Sequence, residues 1–400
     1  LKGKLGPVHI NIPLNEPLYD LVENNDMAKP ITQFEVEKNL SETAWQELSK
    51  IWKDSKKIMI LVGQANVNPS LEQRINEIAT DMNVVVLMEN LSNVSCSNAI
   101  SCIDRTLENI DVKSAEPDLL ISIGGAVVSK KIKSYLQNAN IKYHWMVAEE
   151  NQLIDTYQHL SHQIDSKPAS FLADLIAHIS LKQDFNYRSI WKQVDFNNID
   201  NQSSFMDSLE FCDLKIFHEI NQLLPENSVV HLANSSVVRY SQLFNPIKNE
   251  IYQGNRGVSG IDGSLSTAMG YSSQSKKQNY FITGDLSFIY DSNAFWMDEL
   301  PQNLKIIVIN NGGGGIFKII DGPSKTNELN KSFVTEHSKS FGKFVQTYDV
   351  SYSEIDNNED LISSLEKFFY SEAKFEVLEM NTKGIPNENH LKNYFEYLKK

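Results

Sequence analysis

Short runs of consecutive apolar residues, each followed by a polar segment with helical spacing, recur along the chain. KIMILVG (residues 57–63), VVVLME (84–89), DLLISIGG (118–125) and YHWMVAEE (143–150) read as strands buried on both faces, since so continuous an apolar run leaves no polar side. Between them lie a polar helix carrying Leu71, Ile75 and Ile78 and a lysine-rich helix containing Lys130, Lys131 and Lys133. Ser41, ahead of ETAWQELSKIWKD with Glu42 in the first turn, marks a helix start. Strands alternating with helices predict a doubly wound parallel sheet.

The second half repeats the alternation. SVVHLANSSVVRYSQLF (228–244), EIYQGNRGVSGIDGSLSTAMGYS (250–272), YFIT (280–283), KIIVI (305–309) and KFEVLEM (374–380) supply the strands and turns of a second α/β domain, closed by a C-terminal helix ending near Tyr397. The polar, aromatic stretch 181–202 reads as a linker helix. At the other end, VHINI looks like a strand and PLNEPLYD like its exit loop. The predicted organisation is therefore the end of an N-terminal domain with its linker (1–29), a middle α/β domain (30–180), a linker (181–202) and a second α/β domain (203–400).

Asp285 and Asn311 each stand where an apolar run ends. If residues 280–309 form strand, helix (Leu286 to Leu300) and strand, the crossover makes the strands parallel and brings both polar residues to one edge, where open α/β sheets bind ligands. A carboxylate oxygen beside an amide oxygen, without Cys or His, suits a hard cation such as Mg²⁺. Gly312 to Gly315 permit close backbone approach to an ion and its anion, and the helix after Gly284 aims N–H groups at the same place. A polar turn with a glycine loop and no ligand fits the same pattern, so the two readings stand side by side.

A net charge of −14 and a pI near 5.2 exclude a general nucleic-acid binder, and Lys130, Lys131 and Lys133 read as a solvated helix face. No apolar run has the length of a membrane span and the N-terminus lacks a signal-peptide core, so a cytoplasmic protein is expected. Cys96, Cys102 and Cys212 have no CxxC spacing and predict neither structural zinc nor a disulfide framework. The turns LVGQAN and SIGGAV fall short of the full dinucleotide fingerprint and read as tight strand-to-helix turns.

GDLSFIYD, NNGGGGIF and NRGVSGIDG together resemble the metal and diphosphate motifs of thiamine diphosphate enzymes. Leu286 in the third position of the usual GDG fits the MenD-type 2-succinyl-5-enolpyruvyl-6-hydroxy-3-cyclohexene-1-carboxylate synthases of menaquinone biosynthesis. The resemblance covers essentially the whole chain, most specifically its second half. It implies two doubly wound parallel-sheet domains, middle and diphosphate-binding, and decarboxylation of 2-oxoglutarate followed by conjugate addition of the four-carbon acyl anion to isochorismate. It implies thiamine diphosphate with Mg²⁺ or Mn²⁺, the metal held by Asp285, Asn311 and the Gly313 carbonyl, and the cofactor by Gly260, Ile261, Gly284, Leu286, Ser287 and Ile316. Ser235, Arg239 and Arg256 would contact substrate, Ile261 would wedge the cofactor bent, and Ile316, Phe317 and Ile320 would wall the isochorismate ring. At least a homodimer, or a dimer of dimers, follows, because the family's site lies between subunits. The family's activating glutamate belongs to its N-terminal domain, so no residue here takes that role and turnover by these residues alone is not expected. Another thiamine diphosphate enzyme, such as an acetolactate synthase or a 2-oxoacid decarboxylase, and a non-catalytic nucleotide-binding protein are the alternatives.

Overall fold

In the computed structural model the described residues are Asn11 and 40–399, except 150–153, 183–184, 248–249 and 321. The VHINI strand, its exit loop and most of the first linker fall outside them.

Two six-stranded sheets, every pairing parallel, organise the chain. The first comprises β1 (Ile58–Val62), β2 (Val84–Met88), β3 (Ala99–Ile100), β4 (Leu119–Ile123), β5 (Tyr143–Ala148) and β6 (Leu160–Asp165), in the order β3-β2-β1-β4-β5-β6. Every residue of β1 and β2 is buried, as their unbroken apolar runs require. Ser41 does begin a helix, Glu42–Asp54, its Oγ accepting from the Ala44 N–H at 3.2 Å.

Between β1 and β4 the glycine turns fit against each other. A Cβ on Gly63 would come within 1.9 Å of the Gly125 carbonyl, and the Gly125 N–H donates to the Gln64 carbonyl at 2.8 Å. Those glycines serve backbone-to-backbone packing. Cys96, Cys102 and Cys212 are all buried thiols.

The second sheet comprises β7 (Val229–Leu232), β8 (Ile251–Gln253), β9 (Asn279–Gly284), β10 (Leu304–Asn310), β11 (Ser351–Ile355) and β12 (Phe375–Asn381), ordered β11-β12-β10-β9-β7-β8. Strand order reverses between β7 and β9, so their carboxyl ends open the crevice in which such sheets bind ligands. The helix Tyr187–Asp207 joins the two halves, with Trp191 in the core of the first and Met206 in that of the second.

One predicted element is shorter than expected. The helix after β9 runs only Asp285–Tyr290 and passes into a 3-10 turn, Ser292–Trp296, rather than continuing to Leu300. Asp291 explains the break: its carboxylate is buried and captured by the Ser266 N–H (2.7 Å) and hydroxyl (2.6 Å), which holds the backbone out of helical register.

Candidate active site

The crossover sets Asp285 just past β9 and Asn311 just past β10, at one edge of the sheet. Asp285 is 2 % exposed; its Oδ2 accepts from the Gly312 and Gly313 N–H groups, both at 2.8 Å, and its Oδ1 from the Leu286 N–H at 2.7 Å. The carboxylate thus gathers the glycine loop around itself. Gly313 has φ +145°, and a Cβ there would meet the Val334 carbonyl at 2.5 Å, so the loop's own neighbours already require glycine. His337 closes this side, with Nε2 3.2 Å from Asp285 Oδ2 but without hydrogen-bond geometry.

Successive side chains of a strand point oppositely, and the two asparagines divide accordingly. Asn310 turns inward, its Nδ2 donating to Glu379 at 2.6 Å and to the Lys339 carbonyl at 2.9 Å. Asn311 instead donates its Nδ2 to Asp213 Oδ2 at 2.9 Å, and its Oδ1 receives no hydrogen bond among the described residues. Burial pushes Asp213 up to about 6 against the Thr382 and Asn311 hydrogen bonds, and the charge of Asp285 adds to the rise.

These residues fit a metal ion. Two buried carboxylates close enough to repel have no Lys or Arg partner among the described residues, and the adjacent free donor is an amide oxygen. A hard divalent cation meets all three needs. The Gly313 carbonyl accepts from the Gly315 N–H at 2.9 Å and keeps a second lone pair.

A hydrogen-bonded route leads from this loop to the arginines. Ser287 Oγ donates to the Ile261 carbonyl at 2.7 Å; Asn234 Nδ2 donates to the Gly260 (2.7 Å) and Asn255 (2.6 Å) carbonyls; and Arg256 Nη1 donates to Asn234 Oδ1. Ile261 and Arg256 are half-buried, and Arg256 Nε is buried without a partner. Arg239 sits on the helix Ser236–Ser241, half-buried and free of ion pairs among the described residues. Burial lowers both guanidinium pKa values; Arg239 pushes Arg256 down further, while Asp104 and Glu89 pull Arg239 back up. Ser235, just before that helix, has φ +75°, a backbone conformation uncommon for a residue other than glycine. Ile316 is buried, Phe317 packs on Phe333 with ring centroids 5.6 Å apart, and Ile320 is half-buried after the one-turn helix Ile316–Ile319.

The first sheet backs this region through the turn after β2. Asn90 Nδ2 donates to Ser241 Oγ at 3.2 Å, Gln242 accepts from the Asn90 N–H at 3.2 Å, and Asn93 exchanges hydrogen bonds with Tyr252 N (2.7 Å) and O (2.9 Å). Both arginine-bearing segments are therefore tied to one turn. Asp213, Asn234, Glu89 and His337 were not singled out by sequence; Asn234 lies inside the run SVVHLANSSVVRYSQLF, but the partners of Asp213 and Glu89 are too far along the chain to leave a local signal.

Glu89 itself yields a pH test. It is buried, accepting from the Val128 (2.7 Å) and Ser129 (2.8 Å) N–H groups, and burial pushes it from 4.5 up to about 7, with Asp104 adding to the rise and Arg256 opposing it. Lys133, Arg239 and Tyr157 also feel its charge. Folding therefore takes up a proton between those two values, so stability falls as pH rises from 4.5 through about 7 and levels off above. At about 1.4 kcal/mol per pH unit the whole span costs roughly 3 kcal/mol. Glu89→Gln is expected to gain on the parent protein by that order between about pH 5 and about pH 8 in denaturant unfolding. An equal difference at both pH values would mean that this carboxyl titrates normally.

Comparison with known proteins gives the family. The family model described as "Middle domain of thiamine pyrophosphate" matches residues 18–232, and "Thiamine pyrophosphate enzyme, C-terminal TPP binding domain" matches 235–380. These matches and the two parallel-sheet domains are those of a thiamine diphosphate enzyme. The chain is 37 % identical over 399 residues to the 2-succinyl-5-enolpyruvyl-6-hydroxy-3-cyclohexene-1-carboxylate synthase of Flavobacterium johnsoniae, covering 98 % of this chain and 72 % of the relative. The synthase of the same name from Christiangramia forsetii is 37 % identical (98 % and 70 % covered), and that from Porphyromonas gingivalis 33 % (100 % and 71 %). The chain belongs to this synthase family.

Proposed function

We propose that the holoenzyme is a thiamine diphosphate-dependent transferase that decarboxylates 2-oxoglutarate and adds the four-carbon acyl unit to isochorismate, giving 2-succinyl-5-enolpyruvyl-6-hydroxy-3-cyclohexene-1-carboxylate for menaquinone biosynthesis. The observation that carries the choice of acidic substrates is the arginine pair: among the described residues Arg239 and Arg256 are desolvated and form no ion pair, feeling Glu89 only at longer range, and Arg256 holds a buried N–H without an acceptor there. A buried unpaired donor is costly, and a substrate carboxylate satisfies it.

In this reading Asp285, Asn311 and the Gly313 carbonyl hold Mg²⁺ or Mn²⁺, and Gly260, Gly284, Leu286 and Ser287 line the cofactor. Thiamine diphosphate supplies the electron sink for decarboxylation. Ile261, fixed through its carbonyl by Ser287, would pack against the bound cofactor and help to orient it. Arg239, Arg256 and Ser235 orient the acids, and Ile316, Phe317 and Ile320 exclude water beside the ring. No residue of this chain is assigned the role of activating the cofactor. Among the described residues no helix is long and apolar enough to cross a membrane; a cytoplasmic homodimer or dimer of dimers completes the proposal.

Two measurements test it. Calorimetry should show saturable binding of thiamine diphosphate with Mg²⁺ and none of ADP with Mg²⁺, which separates this reading from a nucleotide-binding protein. Product analysis of the holoenzyme should then show the cyclohexene carboxylate only when 2-oxoglutarate and isochorismate are both present. Condensation of two 2-oxoacids instead would place it with the acetolactate synthases.

A further inference from the structure

Asp213 begins the helix Asp213–Leu223, and its contacts come from distant parts of the chain. Its Oδ1 accepts from Thr382 Oγ1 at 2.6 Å, its Oδ2 from Asn311 Nδ2 at 2.9 Å, and its N–H donates to Asn387 Oδ1 at 2.7 Å. The side chain is 1 % exposed. An asparagine amide has a donor end and an acceptor end, and an ionised carboxylate can only accept. A carboxylate locked by Thr382 therefore compels Asn311 to present its NH₂ inward and leaves Oδ1 as its outward atom. Were the amide reversed, two oxygens would face each other within the buried pair.

We propose that Asp213 is a positioning residue for the metal site, setting the orientation in which Asn311 offers its oxygen to the divalent cation. The inference rests on the cofactor reading above. An orienting partner of this kind commonly governs metal affinity by 10–100-fold, because a ligand free to flip spends part of its time presenting N–H groups to the cation. Asp213 also places a second negative charge near the ion beside Asp285.

The test is a double-mutant cycle read by Mn²⁺ affinity in the presence of thiamine diphosphate, using calorimetry or the paramagnetic resonance of free Mn²⁺. Asp213→Asn lets either end of Asn311 pair inward and is expected to weaken Mn²⁺ by about tenfold or more. Asn311→Asp alone sets two carboxylates against each other and should weaken it as well. Combined, the two substitutions place an amide inward and a carboxylate outward, whose oxygens serve in either orientation, so Mn²⁺ affinity should return to within about threefold of the parent. A purely structural role for Asp213 predicts no such recovery. Thr382→Val leaves the carboxylate in place, loses its 2.6 Å bond together with the longer one that the hydroxyl accepts from Asn387 Nδ2 (3.4 Å), and should weaken Mn²⁺ a few-fold even if Asp213→Asn does not fold.

Unchanged Mn²⁺ affinity in both Asp213→Asn and Thr382→Val, or a double variant no better than its singles, overturns the proposal while leaving the cofactor reading intact. A parent enzyme that takes up no Mn²⁺ with thiamine diphosphate overturns that reading and this one together.

Discussion

Asp285→Ala is expected to weaken metal-dependent thiamine diphosphate binding by a hundredfold or more, with the protein still folded. In the proposed site the carboxylate has two tasks: it would be the charged ligand of the cation, and it accepts from Gly312 and Gly313 at 2.8 Å, holding the glycine loop that follows Asn311. Removing it takes away the proposed charged metal donor and the acceptor of the Leu286, Gly312 and Gly313 N–H groups; Gly312 keeps a 3.3 Å bond to Asn310 Oδ1, and each N–H left without an acceptor costs about 1–3 kcal/mol before water enters. Asp285→Asn separates the tasks, since an amide oxygen still accepts from the glycines but carries no charge. Calorimetry should find that it too loses most of its Mg²⁺-dependent affinity while keeping a melting temperature closer to the parent's. Asn311→Ala should act in the same direction more weakly, because a neutral ligand contributes less. Asn310→Ala should chiefly destabilise the fold, because Glu379 Oε1 loses its donor while Oε2 keeps those of the Phe341 N–H and the Tyr352 hydroxyl. Unchanged cofactor affinity in Asp285→Ala would remove the metal from this site.

The contrast between those asparagines shows what the chain discloses before it folds. Apolar runs such as Met59–Leu61 and Val84–Leu87 read directly as strands because burial on both faces leaves no other pattern. Three edge strands escaped this reading: LSHQID (β6) and SYSEI (β11) are polar and partly exposed, as edges tend to be, and AI (β3) is only two residues long. The helix after β9 was overestimated for a related reason. Its periodicity is real, but Asp291 is taken by Ser266, 25 residues earlier, and local spacing cannot register that capture. Asp285 and Asn311 were legible because the crossover rule places strand ends together whatever the side chains do. Asp213 and Glu89 were not, since each matters through partners in other elements: Thr382 and Asn311 for the first, Val128 and Ser129 for the second.

The same dependence on distant partners distinguishes the two arginines, and Arg256→Lys is expected to impair turnover more than Arg239→Lys. Arg256 spends Nη1 on Asn234, whose amide in turn fastens the Gly260 and Asn255 carbonyls, and still has an unpaired buried Nε–H to offer a substrate. A lysine ammonium is a compact charge that cannot span both positions. It would either abandon Asn234, loosening the loop that carries Ile261, or keep it and leave the substrate carboxylate with one poorly aimed donor. Among the described residues Arg239 makes no comparable tie, so Arg239→Lys forfeits only bidentate geometry. We therefore expect the KM for one acidic substrate to rise about 10–100-fold in Arg256→Lys and less in Arg239→Lys, at kcat reduced by a smaller factor. Thiamine diphosphate affinity should be spared in both, because among the described residues neither arginine hydrogen-bonds the glycine loop 312–315. Steady-state kinetics with 2-oxoglutarate and isochorismate varied in turn would identify which acid each arginine holds. Unchanged KM values for both acids in Arg256→Lys would reduce this guanidinium to a brace for Asn234 and leave carboxylate recognition to other residues.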